Sequence, residues 1–172
     1  YTPQQVKELE RSMLLHDMGK IGTPNSVLHK NGKLNDDEFT HMRNHASGTN
    51  EILHDMPFID KNNSSVLDGA SQHHEKYNGT GYPNKLSGNE INEYARIANV
   101  ADSFDAMSSY RVYHDPISYI DSLNELIKSK VSHFDPVFVD DFISVINEFR
   151  MFRVEAAARR IRNQVSKKQR NI

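Results

Sequence analysis

The 172-residue chain contains no cysteine and no tryptophan. Without cysteine there can be no disulfide framework, no thiolate zinc site and no thiol nucleophile. Any metal must then be held by the nine histidines and by some of the 23 carboxylate side chains. Hydrophobic residues are also scarce, at 37%, against the usual ~45–50% of a globular chain. No stretch approaches the ~18 apolar residues of a membrane span, and the first residues lack the basic-then-apolar order of a signal peptide. No membrane segment is expected here, and the reading is cytoplasmic.

The net charge of -2 is unevenly spread. From Arg150 to Ile172 the chain carries eight Lys/Arg and one acid, leaving 13 basic against 22 acidic residues in 1–149. The tail lacks the interleaved aromatics of a single-strand binder. It is expected to be a solvated helix rather than a nucleic-acid interface, with pairing to a second copy as its other role. The expected division is a main domain over 1–149 and a basic helix or tail over 150–172.

Periodicity is helical nearly throughout. Val6, Leu9, Met13 and His16 share one helix face that breaks at Gly19 and Gly22. Asn35 with Glu38 has the form of a capping box and opens a second helix, with Phe39, Met42, His45 and Ala46 inward. Val66, Ala70, His73, His74 and Tyr77 predict a third, cut at Asn78-Gly79. The stretch 78–88, NGTGYPNKLSG, is too rich in Gly and Pro for regular structure. Helical spacing resumes from Glu90 to about Tyr110, with Ala95, Ala98, Asp102 and Asp105 on one stripe. Ser118–Lys130 carries Ile120, Leu123 and Ile127, and Asp135-Pro136 reads as N-cap and first residue of a long last helix. The expected class is all-α: a helical bundle with one irregular loop.

Several inward positions hold His or Asp where a bundle would place Leu. Burying such groups unpaired costs several kcal/mol, roughly 2–7 for a neutral one, so each demands compensation. His16-Asp17, His45, His73-His74 and Asp102 are expected from four separate helices. Four imidazoles and two carboxylates converging in a bundle interior suit divalent metals. Adjacent helical residues point about 100° apart, so a neighbouring pair serves two ions more readily than one. Asp17 could bridge the two through its separate oxygens. The unit inferred is dinuclear, its ions ~3.5–4 Å apart, suited to phosphoryl chemistry. His41 and His45, at i and i+4, form an alternative two-ligand face, and periodicity does not choose between them. His29, His54, His114 and His133 are assigned ordinary structural or surface roles.

The segment LLHDMGKIG (14–22) resembles the HD superfamily of metal-dependent phosphohydrolases. HHEKYNGTGYP (73–83) resembles the signature of its HD-GYP subfamily, and LHKNGKLNDDEF, ARIANVADSFDAMSSYR and HFDP follow the same order. The resemblance spans about 3–142. It implies hydrolysis of the bacterial messenger cyclic di-GMP to pGpG, and in some members onward to GMP. It implies metal ligation by His16, Asp17, His45, His73, His74 and Asp102, so that His45 and not His41 is the ligand. Two divalent ions are implied, or three where a further ligand is present, with iron first and manganese as the alternative. Lys20 is expected beside the scissile phosphate, Asp105 near the attacking water, and Arg111 at the substrate phosphates. Gly81 and Tyr82 fall in the GYP loop, which is expected to shape the substrate site. The same loop is expected to meet signalling proteins of the diguanylate cyclase type.

Three departures from the family pattern bear on these expectations. A further metal-ligating His, and in trinuclear members a Glu, lies upstream of the HD pair in the family. This chain starts fifteen residues before His16, so that helix is expected to be missing. The family's RPYRK is here RVYHD (111–115), which removes basic groups, and Asn78 stands where Asp is common. Two alternatives to the cyclic di-GMP phosphodiesterase stay open: a phosphohydrolase for another nucleotide, and a weakly active or inactive domain that senses metal or nucleotide or docks partners.

Overall fold

The computed structural model describes residues 1–57, 59, 64–110 and 115–151. The chain divides into two compact units, Tyr1–Val139 and Asp140–Ile172. The first unit begins with α1 (Pro3–Leu15), opened by a Thr2–Gln5 capping box with proline at the first turn. A 3₁₀ turn, Met18–Gly22, and a single helical turn, α2 (Asn25–Leu28), lead to α3 (Asp36–His54). After α4 (Ser65–Ser71) the irregular loop ends in a short turn at Gly88–Glu90. Two further helices follow, α5 (Glu93–Ser108) and α6 (Tyr119–Lys128). Helical residues then cover 136–151. Among the described residues the only β-type pairings are isolated bridges, Asn78 with Ser87 and Lys130 with Phe134. The fold is all-α, as expected, and no described helix is long and apolar enough to cross a membrane.

The short helix α4 is the hub, packing against α1, α3 and α5. Its sequence, SVLDGAS, makes this possible because small residues allow backbones to approach. A Cβ on Gly69 would sit 2.8 Å from Tyr94 Cβ and would also collide with the Ser12 hydroxyl of α1. That hydroxyl donates to the Val66 carbonyl across the same junction (3.2 Å). Around the hub lie Ala46, Leu53, Ala70, Ala95, Ala98 and Val100, all essentially buried.

The caps read from sequence are present. Asn35 and Glu38 form their capping box on α3. The Asp135 carboxylate accepts the Val137 N–H at 2.9 Å where the last helix begins. Some expected faces and ends are corrected. Val6, Phe39, Ile120 and Ile127 are exposed, and α6 buries the expected Leu123 together with Ser122 and Leu126. The third helix does not reach Tyr77. It stops at Ser71, because Gln72 turns the chain: its carbonyl takes the Glu75 N–H (2.8 Å) and its side chain takes that of Asn92 (2.8 Å). The amides of Tyr77 and Asn78 then pair with the carbonyls of His133 and Ser132. The helix expected from Glu90 begins only at Glu93, with Asn92 as its N-cap. In the second unit 140–151 are helical, with Val145, Phe149 and Met151 exposed. The tail beyond residue 151 lies outside the described residues.

Candidate metal centre

His16 and Asp17 stand where α1 gives way to the 3₁₀ turn, and one hydroxyl on α3 fixes that junction. Thr49 accepts the Gly19 N–H and donates to the His16 carbonyl, each at 2.9 Å. The close approach requires glycine: a Cβ on Gly19 would collide with the His45 carbonyl and lie 2.5 Å from the Thr49 nitrogen. His45 projects from α3. His73 and His74 follow the C-terminus of α4, so only His45 and Asp102 of the expected set lie within helices.

Four imidazoles meet here. Ring centroids are 3.9 Å apart for His73–His74, 4.8 Å for His16–His73, 4.9 Å for His45–His74 and 5.5 Å for His45–His73. Three of the rings are oriented by their own helices. Nδ1 bonds the carbonyl three residues back in His16 (Met13, 2.6 Å), His45 (Met42, 2.5 Å) and His73 (Ala70, 2.7 Å). A carbonyl can only accept, so Nδ1 carries the proton and Nε2 presents its lone pair. The Nε2 atoms of His45 and His73 and Oδ1 of Asp17 are buried without a hydrogen-bond partner.

Such orphaned acceptors are costly unless something electropositive meets them. The donor set is imidazole and carboxylate, and the fixed outer hydrogen bonds are those of metal-ligating histidines. The residues therefore fit divalent metals. Two triads offer ligand atoms within 4.8 Å of one another: His45–His73–His74 and His16–Asp17–His73. His73 belongs to both. The Asp17 oxygens diverge, Oδ1 lying 3.5 Å from His45 Nε2 and Oδ2 3.4 Å from His16 Nε2.

Electrostatics agree with this arrangement. Burial pushes the His73 imidazole down to about 3 and that of His74 to about 2, and it also lowers His45. All three are neutral near pH 7. Burial alone would raise the Asp17 carboxyl, but the Lys20 ammonium, 2.5 Å from Oδ2, and the neighbouring histidines hold it below its ordinary value.

The cluster opens into a cavity of about 570 Å³. His45, His74, Asp102, Lys20 and Tyr82 line it, together with Lys30, Lys33, Leu34, Phe39 and Met42. Asp102, on α5, shares this wall but belongs to neither triad. Asp105 is exposed one turn further on, takes the Ser109 hydroxyl (2.9 Å) and is not among the lining residues. Gly81 is buried against the backbone of Glu75 and Lys76, and a Cβ would not fit there. Tyr82 stacks beside His74 (4.8 Å, 31°) and under the Arg43 guanidinium (4.6 Å). Arg111 and His114 lie outside the described residues. Sequence reasoning gave no role to Thr49, Arg43 or Glu75. Glu75 stood inside the HHE string, whereas Thr49 and Arg43 carried no signal in periodicity.

The model of a family described as "HD domain" matches residues 1–138. This chain belongs to the HD domain family. Its HHEKYNGTGYP string places it with the HD-GYP type that the sequence resembles. A cyclic di-GMP phosphodiesterase of Vibrio cholerae is 39% identical over 86% of this chain and 31% of its own length. A cyclic di-GMP phosphodiesterase response regulator of Xanthomonas campestris is 40% identical over 80% of the chain and 36% of its own. A 3'3'-cGAMP-specific phosphodiesterase of Vibrio cholerae is 38% identical over 81% and 26% respectively. The HD chain thus spans about a third of the length of the curated relatives it matches.

Proposed function

We propose that this HD domain is a metal-dependent phosphodiesterase that hydrolyses cyclic di-GMP to linear pGpG in the cytoplasm. The observation carrying this reading is the pre-aimed cluster: neutral imidazoles and the Asp17 carboxylate, with unpartnered buried acceptors, beside a lysine-bearing cavity. His16, Asp17, His45, His73 and His74 would hold two divalent ions, iron first and manganese second, with Asp102 completing a shell from α5. Ions held there would lower the pKa of a bound water and neutralise the phosphoryl oxygens.

The chain's own residues do the rest. The Lys20 ammonium, tethered to Asp17, stands where it can meet a phosphate as charge develops on its oxygens. Tyr82, its phenol pushed up to about 12 by burial, keeps its proton and forms a wall of the substrate pocket. The cavity's Lys30 and Lys33 and its apolar side chains suit the phosphates and flat bases of a cyclic dinucleotide. Arg111 is assigned to the substrate phosphates and Asp105 to the water on the family resemblance alone.

The test is turnover. The protein, reconstituted anaerobically with iron or manganese, should convert cyclic di-GMP to pGpG, and Asp17→Ala should lose at least about 100-fold in kcat. Fully loaded protein that releases no pGpG would overturn the reading. A second substrate, 3'3'-cGAMP, is favoured by the relatives specific for it. Competition between the two nucleotides in one reaction decides which is preferred.

A further inference from the structure

Glu75 is a carboxylate only 1% exposed, adjacent in sequence to His73-His74, yet it faces away from the metal cluster. Its oxygens instead take backbone N–H groups of the loop: Oε1 that of Asn84 at 2.5 Å, and Oε2 that of Leu86 at 3.1 Å. Lys85, between those two amides, is held at φ 58°, a left-handed conformation that costs a non-glycine residue energy. The loop's other face is seated on the same residue, since Gly81 packs on the Glu75 backbone and the Tyr82 N–H bonds the His74 carbonyl (3.3 Å). Glu75 itself is anchored from α5, where the Asn99 amide donates to its carbonyl at 2.7 Å.

One buried side chain therefore gathers the returning arm of the loop and fixes Tyr82 between His74 and Arg43. We propose that Glu75 is a positioning residue that sets the Tyr82 wall of the cavity, and so governs cyclic-dinucleotide binding rather than bond cleavage. This rests on the reading of the cavity as a cyclic-dinucleotide site. Charge-assisted hydrogen bonds from the Asn84 and Leu86 amides are strong enough to hold a backbone that glycine and proline leave free. Losing them releases Tyr82 without removing any metal ligand.

The test compares wild type, Glu75→Gln and Glu75→Ala as metal-loaded protein on two substrates. Cyclic di-GMP needs the whole cavity, whereas bis(p-nitrophenyl) phosphate needs only the metals and Lys20. KM for cyclic di-GMP should rise about tenfold in both variants, with kcat, metal content and bis(p-nitrophenyl) phosphate turnover within about twofold. Amide exchange at Asn84 and Leu86 should quicken in both variants, a readout that requires no ligand. Unchanged exchange would overturn the proposal. So would unchanged KM, or turnover of both substrates falling together with metal loss. Wild type that cleaves bis(p-nitrophenyl) phosphate but neither binds nor cleaves cyclic di-GMP would instead refute the substrate reading, leaving the exchange result to judge Glu75's hold on the loop.

Discussion

Three imidazoles of the cluster are aimed by hydrogen bonds from Nδ1 to backbone carbonyls, so the site is organised by residues that also bury themselves. Burial has a consequence for pH. His73 and His74, held down to about 3 and about 2, refuse protons that the unfolded chain accepts from about pH 6.5 downward. The unfolded state then binds more protons, so stability of the metal-free protein falls as pH drops below 6.5, by up to about 1.4 kcal/mol per pH unit for each histidine. Asp17, lowered overall, acts in the same direction at more acid pH. Urea unfolding at pH 7, 6 and 5 should show a declining midpoint, and a flat profile would contradict the burial. Thr49→Val keeps the shape but leaves the Gly19 N–H buried and unpaired, and should cost about 1–3 kcal/mol in the same assay.

At the scale of elements, the site depends on a 3₁₀ turn lying directly on α3. Gly19→Ala would drive a methyl into the His45 and Thr49 backbone. It should destabilise by about 1–3 kcal/mol and weaken metal binding by moving His16 and Asp17, measured by thermal unfolding and by titration with manganese. Unaltered metal affinity would show that the turn is not a fixed element of the centre. This scale also shows what the sequence made legible. Caps act within four residues, so Asn35–Glu38 and Asp135 could be read directly. The end of α4 could not, because the Gln72 side chain takes the Asn92 N–H and the Tyr77 N–H goes to the His133 carbonyl, partners far along the chain. The exposed Ile120 and Ile127 have the same origin: helical spacing identifies Leu123 correctly, but tertiary packing turns the buried face toward Leu126. The six ligand candidates were legible as residue types in order, while the convergence that joins Asp17 to His45 is tertiary.

At the scale of the whole molecule, a seven-residue helix of small side chains allows α1, α3 and α5 to close around it, and the histidine pair emerges at its end. Segments far apart in sequence thereby supply one centre, in which Asp17 turns one oxygen toward His45 and the other toward His16. Elemental analysis of protein reconstituted anaerobically with iron or manganese tests this most directly. Wild type should bind two ions per chain, His16→Ala and His74→Ala should each weaken chiefly one, and Asp17→Ala, which removes both divergent carboxylate oxygens, should weaken both. Wild type that binds no metal, or Asp17→Ala that binds as wild type does, would contradict the account.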